Sequence, residues 1–188
     1  NKKRITVGYL DGYYPFSYEE DGECQGLARE LLDAELGFAG LEVQYKKYNS
    51  PQAARSALAD RSVDILSYCT DTKEELSSYG FHMIKEYAQI PLVVAMKEDK
   101  MLSEVENLVT VSYLEKEAAA SFDLKKVNLE FCDTQQECLD AVAKGSADAV
   151  LCDGYLSEYL MGTEFSYSKM KIKSVLNREH NISIAVRK

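Results

Sequence analysis

The residues of this chain that could support covalent chemistry or metal binding are few and scattered. The 188-residue sequence contains two histidines and five cysteines: His82, His180, Cys24, Cys69, Cys132, Cys138 and Cys152. No two cysteines have the C-x-x-C spacing of a zinc site, and both histidines lie far from the cysteines in the sequence. No G-x-S-x-G, H-E-x-x-H, P-loop or G-x-G-x-x-G motif occurs either. The sequence therefore predicts no metal, no cofactor and no catalytic centre.

The cysteines are expected to be mainly small buried side chains, because free cysteine is among the most buried residue types. One pair offers an alternative. Cys132 ends a predicted strand and Cys138 lies in the next predicted helix, so a disulfide between them is the second interpretation.

The charge and composition of the chain limit its partners. The formal net charge is −9 and the sequence pI is about 4.8, so nucleic acid and anionic membrane surfaces would be repelled. The hydrophobic content of 46% is sufficient for one domain or two small lobes. Neither a signal peptide nor an apolar run approaching the ~20 residues of a membrane span is present. We expect a piece of a longer protein.

The apolar pattern alternates between strand and helix and does so twice. In the first half, strands are predicted over 4–10, 41–45 and 63–66, helices over 26–36 and 53–59, and two further strands over 81–86 and 91–96. In the second half, strands are predicted over 108–111, 127–131 and 147–152, helices over 114–122, 134–143 and 154–161, and final strands over 169–176 and 182–186. This rhythm predicts two α/β lobes with mainly parallel sheets.

A short repeat relates the two halves. Residues 61–66 resemble residues 145–151, since in each a helix ends, a short turn follows, and an aspartate (Asp64 or Asp148) precedes an apolar strand. The repeat indicates matched architecture in the two lobes.

Several motifs, in order along the chain, resemble the family-3 extracellular solute-binding proteins of the type II periplasmic-binding-protein superfamily. They are the strand, aromatic loop and turn of 7–26, the strand 63–66 followed by Thr72-Lys73-Glu74, the helix and strand of 141–153, and the closing strand 182–188. The resemblance implies an α/β fold of two Rossmann-like lobes joined by two crossing strands. Lobe 1 would comprise 1–91 plus 183–188, and lobe 2 would comprise 92–182. The family continues with two further helices, so we expect either a trimmed chain or a different arrangement there.

Segments 79–94 and 111–114 resemble a narrower group, the sensor domains that Gram-positive bacteria fuse to histidine kinases and cyclic-dinucleotide enzymes. This implies an extracellular or periplasmic sensor domain of a membrane-anchored receptor, with a small polar ligand in the interlobe cleft and no catalysis. A homodimer would form through the parent receptor. The first alternative is the substrate-binding subunit of an ABC transporter for amino-acid-like or amine solutes, and the second is a cleft dehydratase.

The resemblance implies a ligand outside the carboxyl ends of the strands. The matching positions are Asp11, Tyr13, Tyr14, Tyr48, Ser67, Tyr68, Thr70, Thr72, Glu75, Ser112, Tyr113 and Asp153. Tyr13 would form an aromatic wall or plug lobe 1, and the hydroxyls of Thr70 and Thr72 would bind ligand or cap a turn. Asp153 would receive a ligand amine, cap the following helix, or do both.

One position departs from the amino-acid-binding members of the family. These follow T-x-E with an arginine that binds the α-carboxylate of the ligand in a bidentate pair. This chain has Glu75 there instead. With Glu75 and Asp153 both acidic, we expect an amine-bearing or neutral polar ligand, or no small ligand. Cys69 and Cys152, at corresponding strand ends, would be buried or face each other across the cleft.

Overall fold

The computed structural model describes residues 3–188, except the side chain of Arg178. The chain forms two compact units. Unit 1 comprises Asn1–Gln89 with Asn181–Lys188, and unit 2 comprises Ile90–His180. Both crossings between the units fall inside long strands, β6 (Phe81–Lys97) and β10 (Met170–Arg187). That the units act as separate lobes with the bounds 1–91, 183–188 and 92–182 stays a prediction.

Unit 1 contains a sheet, helices and a small hairpin. Its elements are β1 (Arg4–Leu10), β2 (Tyr18–Glu20), β3 (Glu23–Gln25), α1 (Leu27–Phe38), β4 (Glu42–Tyr48), α2 (Pro51–Ala59), β5 (Ile65–Cys69) and α3 (Lys73–Ser78), with the ends of β6 and β10. The strand order is β4-β1-β5-β10. Strand β1 runs parallel to β4 and β5, and β10 runs antiparallel to β5.

Unit 2 repeats this plan. Its elements are β7 (Asn107–Val111), α4 (Glu115–Ser121), β8 (Asn128–Cys132), α5 (Gln135–Ala143), β9 (Ala149–Asp153) and α6 (Gly154–Gly162). The strand order is β6-β9-β7-β8, with β7 parallel to β8 and β9 and β6 antiparallel to β9. Every residue of β5 and of β9 is buried. Such continuous burial is typical of parallel strands covered on both faces.

Three sequence predictions about element bounds were wrong. The pairs 81–86 with 91–96, and 169–176 with 182–186, are single continuous strands, β6 and β10. Pro91 does not interrupt β6. The pairing of β6 with β9 begins one residue later, at Leu92, so this pairing does not need the N–H that proline lacks. Helix α1 continues through Gly37 to Phe38, and the chain turns instead at Gly40, whose φ is 77°.

Each unit contains an aspartate that ties the start of a buried strand to its parallel neighbour. In unit 1, Asp64 donates its N–H to the Thr6 carbonyl at 2.8 Å, and its Oδ2 accepts the Thr6 N–H at 2.9 Å. In unit 2, Asp148 donates its N–H to the Asn107 carbonyl at 3.0 Å, and its Oδ2 accepts the N–H groups of Glu106 and Asn107 at 3.0 and 2.8 Å. The repeat found in the sequence is therefore a repeated hydrogen-bond arrangement.

The repeat extends to backbone conformation. Arg61 and Gly145, three residues before these aspartates, both have left-handed backbones, with φ of 70° and 83°. Glycine adopts this conformation without steric cost, whereas a residue that has a Cβ adopts it at a steric cost. Unit 1 therefore carries strain at Arg61 that unit 2 avoids.

We predict that Asp148→Ala lowers the free energy of unfolding by about 2 kcal/mol, because two backbone N–H groups lose a charged acceptor. The matched control in unit 2 is Asp140→Ala, which removes an exposed ion pair to Lys144 and should cost below about 0.5 kcal/mol. Urea denaturation measures both. Equal losses in the two variants would show that Asp148 does not join the strands.

We also predict opposite effects for the two left-handed positions. Arg61→Gly should raise the free energy of unfolding by about 0.5 kcal/mol by relieving strain, and Gly145→Ala should lower it by about 1 kcal/mol. The second effect would be purely conformational, since a Cβ added at Gly145 has nothing within 4 Å. Thermal unfolding distinguishes the signs, and a loss of stability in Arg61→Gly would contradict the assignment.

Candidate functional site

The unit 1 residues predicted to bind ligand share one edge of its sheet. Leu10, the last residue of β1, pairs in register with Tyr48, the last residue of β4. Strand β5 is parallel to β1 and ends at Cys69, followed by the segment 70–72. The carboxyl ends of three parallel strands therefore present the predicted positions from Asp11 to Thr72 on one side of unit 1.

The loop after β1 is held by its own side chains. Asp11 is exposed, and its Oδ1 accepts the backbone N–H of Glu19 at 2.8 Å, which joins the loop to the β2–β3 hairpin. The Ser17 hydroxyl donates to the Leu10 carbonyl at 2.6 Å. The rings of Tyr14 and Tyr18 pack at a centroid distance of 5.1 Å. Asp11 thus has a structural contact here, and ligand binding by Asp11 and Tyr14 stays a prediction.

Tyr13 and Tyr68 form an aromatic pair at this edge. Their ring centroids are 4.5 Å apart with planes inclined by 32°. Tyr13 is half-buried while Tyr68 is buried, so Tyr13 is the more accessible ring of the pair. Phe16, by contrast, is buried in unit 1. Tyr68 packs against the Tyr13 ring, and whether Tyr13 forms a ligand wall or plugs lobe 1 stays a prediction.

Ser67 and Tyr48 differ in how their hydroxyls are used. Ser67 is buried, its Oγ lies 3.4 Å from the Gly8 carbonyl, and its own carbonyl accepts the Tyr87 hydroxyl at 2.7 Å. These contacts tie Ser67 to the sheet. The Tyr48 hydroxyl is buried and has no hydrogen-bond partner among residues 3–188. Tyr48 is therefore the better candidate of the two for a polar ligand contact.

The segment after β5 is largely committed to local structure. The Thr72 hydroxyl accepts the Glu75 N–H at 3.1 Å and caps α3, while Thr70 is half-buried and Glu75 is exposed. Between the two threonines, Asp71 pairs with Arg55 at 3.6 Å. Capping and ligand binding by the Thr72 hydroxyl were the two interpretations from sequence, and the capping contact is present.

Arg55 lies at this edge, which the sequence did not predict, and Asp71 neutralises its charge. The Arg55 guanidinium also lies 5.1 Å from the centroid of the Tyr79 ring. Burial raises the pKa of the Asp71 carboxyl, the Arg55 charge opposes this, and Glu75 adds to it. Arg55 is thus already occupied by a carboxylate and an aromatic face, which leaves little of its binding capacity for an anionic ligand.

In unit 2 the predicted residues are joined by a side chain that sequence reasoning missed, Gln135. Its Nε2 donates to the Tyr113 hydroxyl at 3.2 Å, and its Oε1 accepts the Asp153 backbone N–H at 2.6 Å. Gln135 is buried as the first residue of α5, directly after the capping Thr134. The sequence signal that could have found it is a polar residue shortly after the carboxyl end of β8. Ser112 is exposed beside Tyr113.

Asp153 ends β9 and caps α6, and it still has one oxygen unused. Its Oδ1 accepts the N–H groups of Tyr155 and Leu156 at 2.7 and 3.0 Å. Its Oδ2 is buried with no partner in the described part of the chain, and the residue is only 3% exposed. Burial raises the pKa of this carboxyl to about 6, against the opposing effects of the two backbone N–H groups and His180. The capping role predicted for Asp153 is confirmed, and it leaves Oδ2 available.

Other reactive groups do not assemble into a centre. His180 pairs with Glu117 at 3.1 Å within unit 2. Cys69 and Cys152 are buried, and burial raises the pKa of both thiols. Within residues 3–188, no cluster of histidine, cysteine and acidic side chains is arranged to hold a metal ion. Over the same residues, each helix is too short or too polar to span a bilayer.

The chain is similar to known solute-binding and sensor proteins. Residues 5–158 match the family described as bacterial extracellular solute-binding proteins, family 3. The probable amino-acid-binding protein YxeM of Bacillus subtilis (strain 168) is 24% identical over 153 residues, which are 77% of this chain and 57% of that protein. The chain thus spans little more than half the length of this curated relative.

Solved structures show the same fold at low identity. The periplasmic VFT2 domain of BvgS from Bordetella pertussis has a TM-score of 0.82 and 17% identity, over 98% of this chain and 80% of that one. A histidine kinase sensor domain with similarity to periplasmic binding proteins has a TM-score of 0.82 and 18% identity, over 100% and 83%. The predicted α/β fold of the type II periplasmic-binding-protein kind is confirmed. The chain belongs to the family-3 bacterial extracellular solute-binding proteins.

Proposed function

We propose that this chain is the extracellular ligand-binding sensor domain of a membrane-anchored bacterial receptor, and that it binds a small amine without catalysing a reaction. The sensor role is supported by the similarity of fold to the BvgS domain and to the histidine kinase sensor domain. The observation that carries the ligand class is the unpartnered Oδ2 of Asp153.

A ligand amine would supply what Asp153 lacks. A buried carboxylate oxygen without a hydrogen-bond donor is costly, because it has lost its hydration and gained nothing in return. A protonated amine donates a charge-assisted hydrogen bond to such an oxygen and stabilises the ionised carboxylate. The Asp153 carboxyl, with its pKa raised to about 6, can hold that charge at neutral pH.

The unit 1 edge argues against a ligand carboxylate. Arg55 is paired with Asp71, and Glu75 adds a further negative charge to the segment. At this edge a ligand carboxylate would meet Asp71 and Glu75, and the Arg55 guanidinium is already paired with Asp71. Neutral polar groups and aromatic contacts with Tyr13 would be accepted, so amines and neutral polar amides fit better than free amino acids.

The second candidate function is the substrate-binding subunit of a transporter. It is favoured by the match to YxeM, whose name describes an amino-acid-binding protein. The parent gene separates the two: a transmembrane segment followed by a kinase or cyclase supports the sensor, whereas a lipoprotein signal beside a permease gene supports transport. For the sensor, the ligand would act by shifting the population of receptor conformations.

We predict that the protein binds amines in preference to the amino acids from which they derive by loss of the carboxylate. Agmatine should bind at least about tenfold more tightly than arginine, and putrescine more tightly than ornithine, because the ionised Asp153 that holds the amine would repel a ligand carboxylate. Isothermal titration calorimetry measures all four. Tighter binding of arginine or ornithine would contradict the proposed ligand class.

The substitution that tests the role of Asp153 in the same titration is Asp153→Asn. An asparagine retains the Oδ1 that caps α6 but replaces the buried carboxylate, so helix capping is preserved while the charge is lost. Amine affinity should fall by about a hundredfold, as expected for losing a buried charge-assisted hydrogen bond. Unchanged affinity in Asp153→Asn would exclude Asp153 as the amine acceptor.

We also predict a pH dependence of stability in the ligand-free protein. The Asp153 pKa rises from 3.8 to about 6 on folding, so between these values the folded state binds more protons and stability falls as the pH rises. Relative to Asp153→Asn, the wild type should lose about 2 kcal/mol between about pH 4 and about pH 7. Urea denaturation of both proteins across this range measures the difference, and parallel curves would contradict the raised pKa.

A further inference from the structure

A buried glutamine connects the strand ends of unit 2. Gln135 is the first residue of α5, the helix that follows β8. Its Oε1 accepts the backbone N–H of Asp153, at the end of β9, at 2.6 Å. Its Nε2 donates to the hydroxyl of Tyr113, just after β7, at 3.2 Å. One side chain thus joins the carboxyl ends of three neighbouring strands, whose order in the sheet is β9-β7-β8.

The orientation of the Gln135 amide follows from the groups that it contacts. A backbone N–H can only donate a hydrogen bond, so the atom that faces the Asp153 N–H is the amide oxygen. The amide nitrogen then faces the Tyr113 hydroxyl, which is able to accept its hydrogen. A flipped amide would point one N–H group at another and lose the contact with Asp153. The hydrogen bond to Tyr113 therefore supports the hydrogen bond to Asp153.

Asp153 is held at its backbone and at one carboxylate oxygen. Its Oδ1 accepts the N–H groups of Tyr155 and Leu156 at 2.7 and 3.0 Å, and its own N–H donates to Gln135. Its Oδ2 is buried and has no hydrogen-bond partner among the residues that the structure describes. The direction of Oδ2 is thus set by the helix cap on one side and by Gln135 on the other.

We propose that Gln135 is a positioning residue for amine binding, which fixes the end of β9 so that Asp153 presents Oδ2 to the ligand. This role rests on the proposed function, in which Asp153 accepts the amine. Gln135 acts through Asp153 and not on the ligand. A hydrogen bond weakens when its distance or angle departs from the optimum, so movement of the strand end would weaken amine binding even though the carboxylate remains.

A double-mutant cycle tests whether Gln135 acts through Asp153. Gln135→Met and Gln135→Leu both remove the acceptor of the Asp153 N–H but differ in shape, so the test does not depend on the folding of one variant. Either should weaken agmatine binding by about tenfold in the wild-type background. In the Asp153→Asn background the same substitution should change the affinity by less than about twofold, because the carboxylate that Gln135 positions is already absent.

The matched control is the next residue, Gln136. It is exposed, and its Nε2 donates to Glu164 Oε2 at 2.6 Å, away from the strand ends that Gln135 joins. Gln136→Met should retain the wild-type affinity for agmatine. Isothermal titration calorimetry measures all of these proteins, and thermal unfolding of each shows that the folded protein is being titrated.

The pH profile of agmatine binding separates positioning from a general structural role. Agmatine stays cationic near neutral pH, so its affinity should fall as Asp153 becomes protonated. Burial raises the pKa of that carboxyl to about 6 in the wild type, and the affinity should therefore decrease below about pH 6. In Gln135→Met, water that reaches the displaced carboxyl would lower its pKa, and the decrease should move to lower pH. A loss of stability alone would not move it.

Three results would each overturn the positioning role. They are wild-type affinity in both Gln135 variants, a tenfold loss that persists in the Asp153→Asn background, and a pH profile that does not move. Unchanged agmatine affinity in Asp153→Asn would instead remove the proposed function, and the positioning role with it. Weakened binding in Asp153→Asn beside wild-type binding in the Gln135 variants would leave the proposed function standing and exclude the positioning role alone.

Discussion

The arrangement of both units depends on one interaction, the hydrogen bonding of an aspartate carboxylate to backbone N–H groups at the start of neighbouring parallel strands. Asp64 and Asp148 make it in units 1 and 2. In unit 1, Arg187 adds to it by donating to Leu58 and Val63 carbonyls at 2.8 and 2.6 Å while pairing with Asp64. Parallel strands that start in register also end close together. This interaction therefore sets which residues meet at the carboxyl edges.

At those edges, most polar side chains are used to hold the loops themselves. Asp11 stabilises the hairpin, Thr72 caps α3 and Ser67 lies against β1. The buried oxygens of Asp153 and Tyr48 are different, because local structure leaves each without a partner in the described residues. A buried polar oxygen without a hydrogen-bond partner is unfavourable in the ligand-free protein. A ligand that donates a hydrogen bond to this oxygen therefore stabilises the bound state relative to the empty one. This physical contrast, rather than polarity alone, distinguishes candidate ligand contacts from structural ones.

The sequence predicted the features that depend on neighbours along the chain. The strand–helix rhythm, the Asp64 and Asp148 repeat and the capping by Asp153 are local patterns, and the structure contains all of them. Contacts between distant segments were not predicted. Gln135 reaches Asp153 across 18 residues, and Arg55 in α2 reaches Asp71 in the segment between β5 and α3. The continuity of β6 through Pro91 was also missed, because whether proline interrupts a strand depends on where pairing begins.

The central claim is that the Asp153 carboxylate holds the amine of a ligand that lacks a free carboxylate. Native mass spectrometry of the protein, purified without added ligand and compared with Asp153→Asn prepared in parallel, tests it most directly. We predict that the wild type retains a small amine that is absent from the variant. A retained free α-amino acid, or the same bound mass in both proteins, would contradict the account.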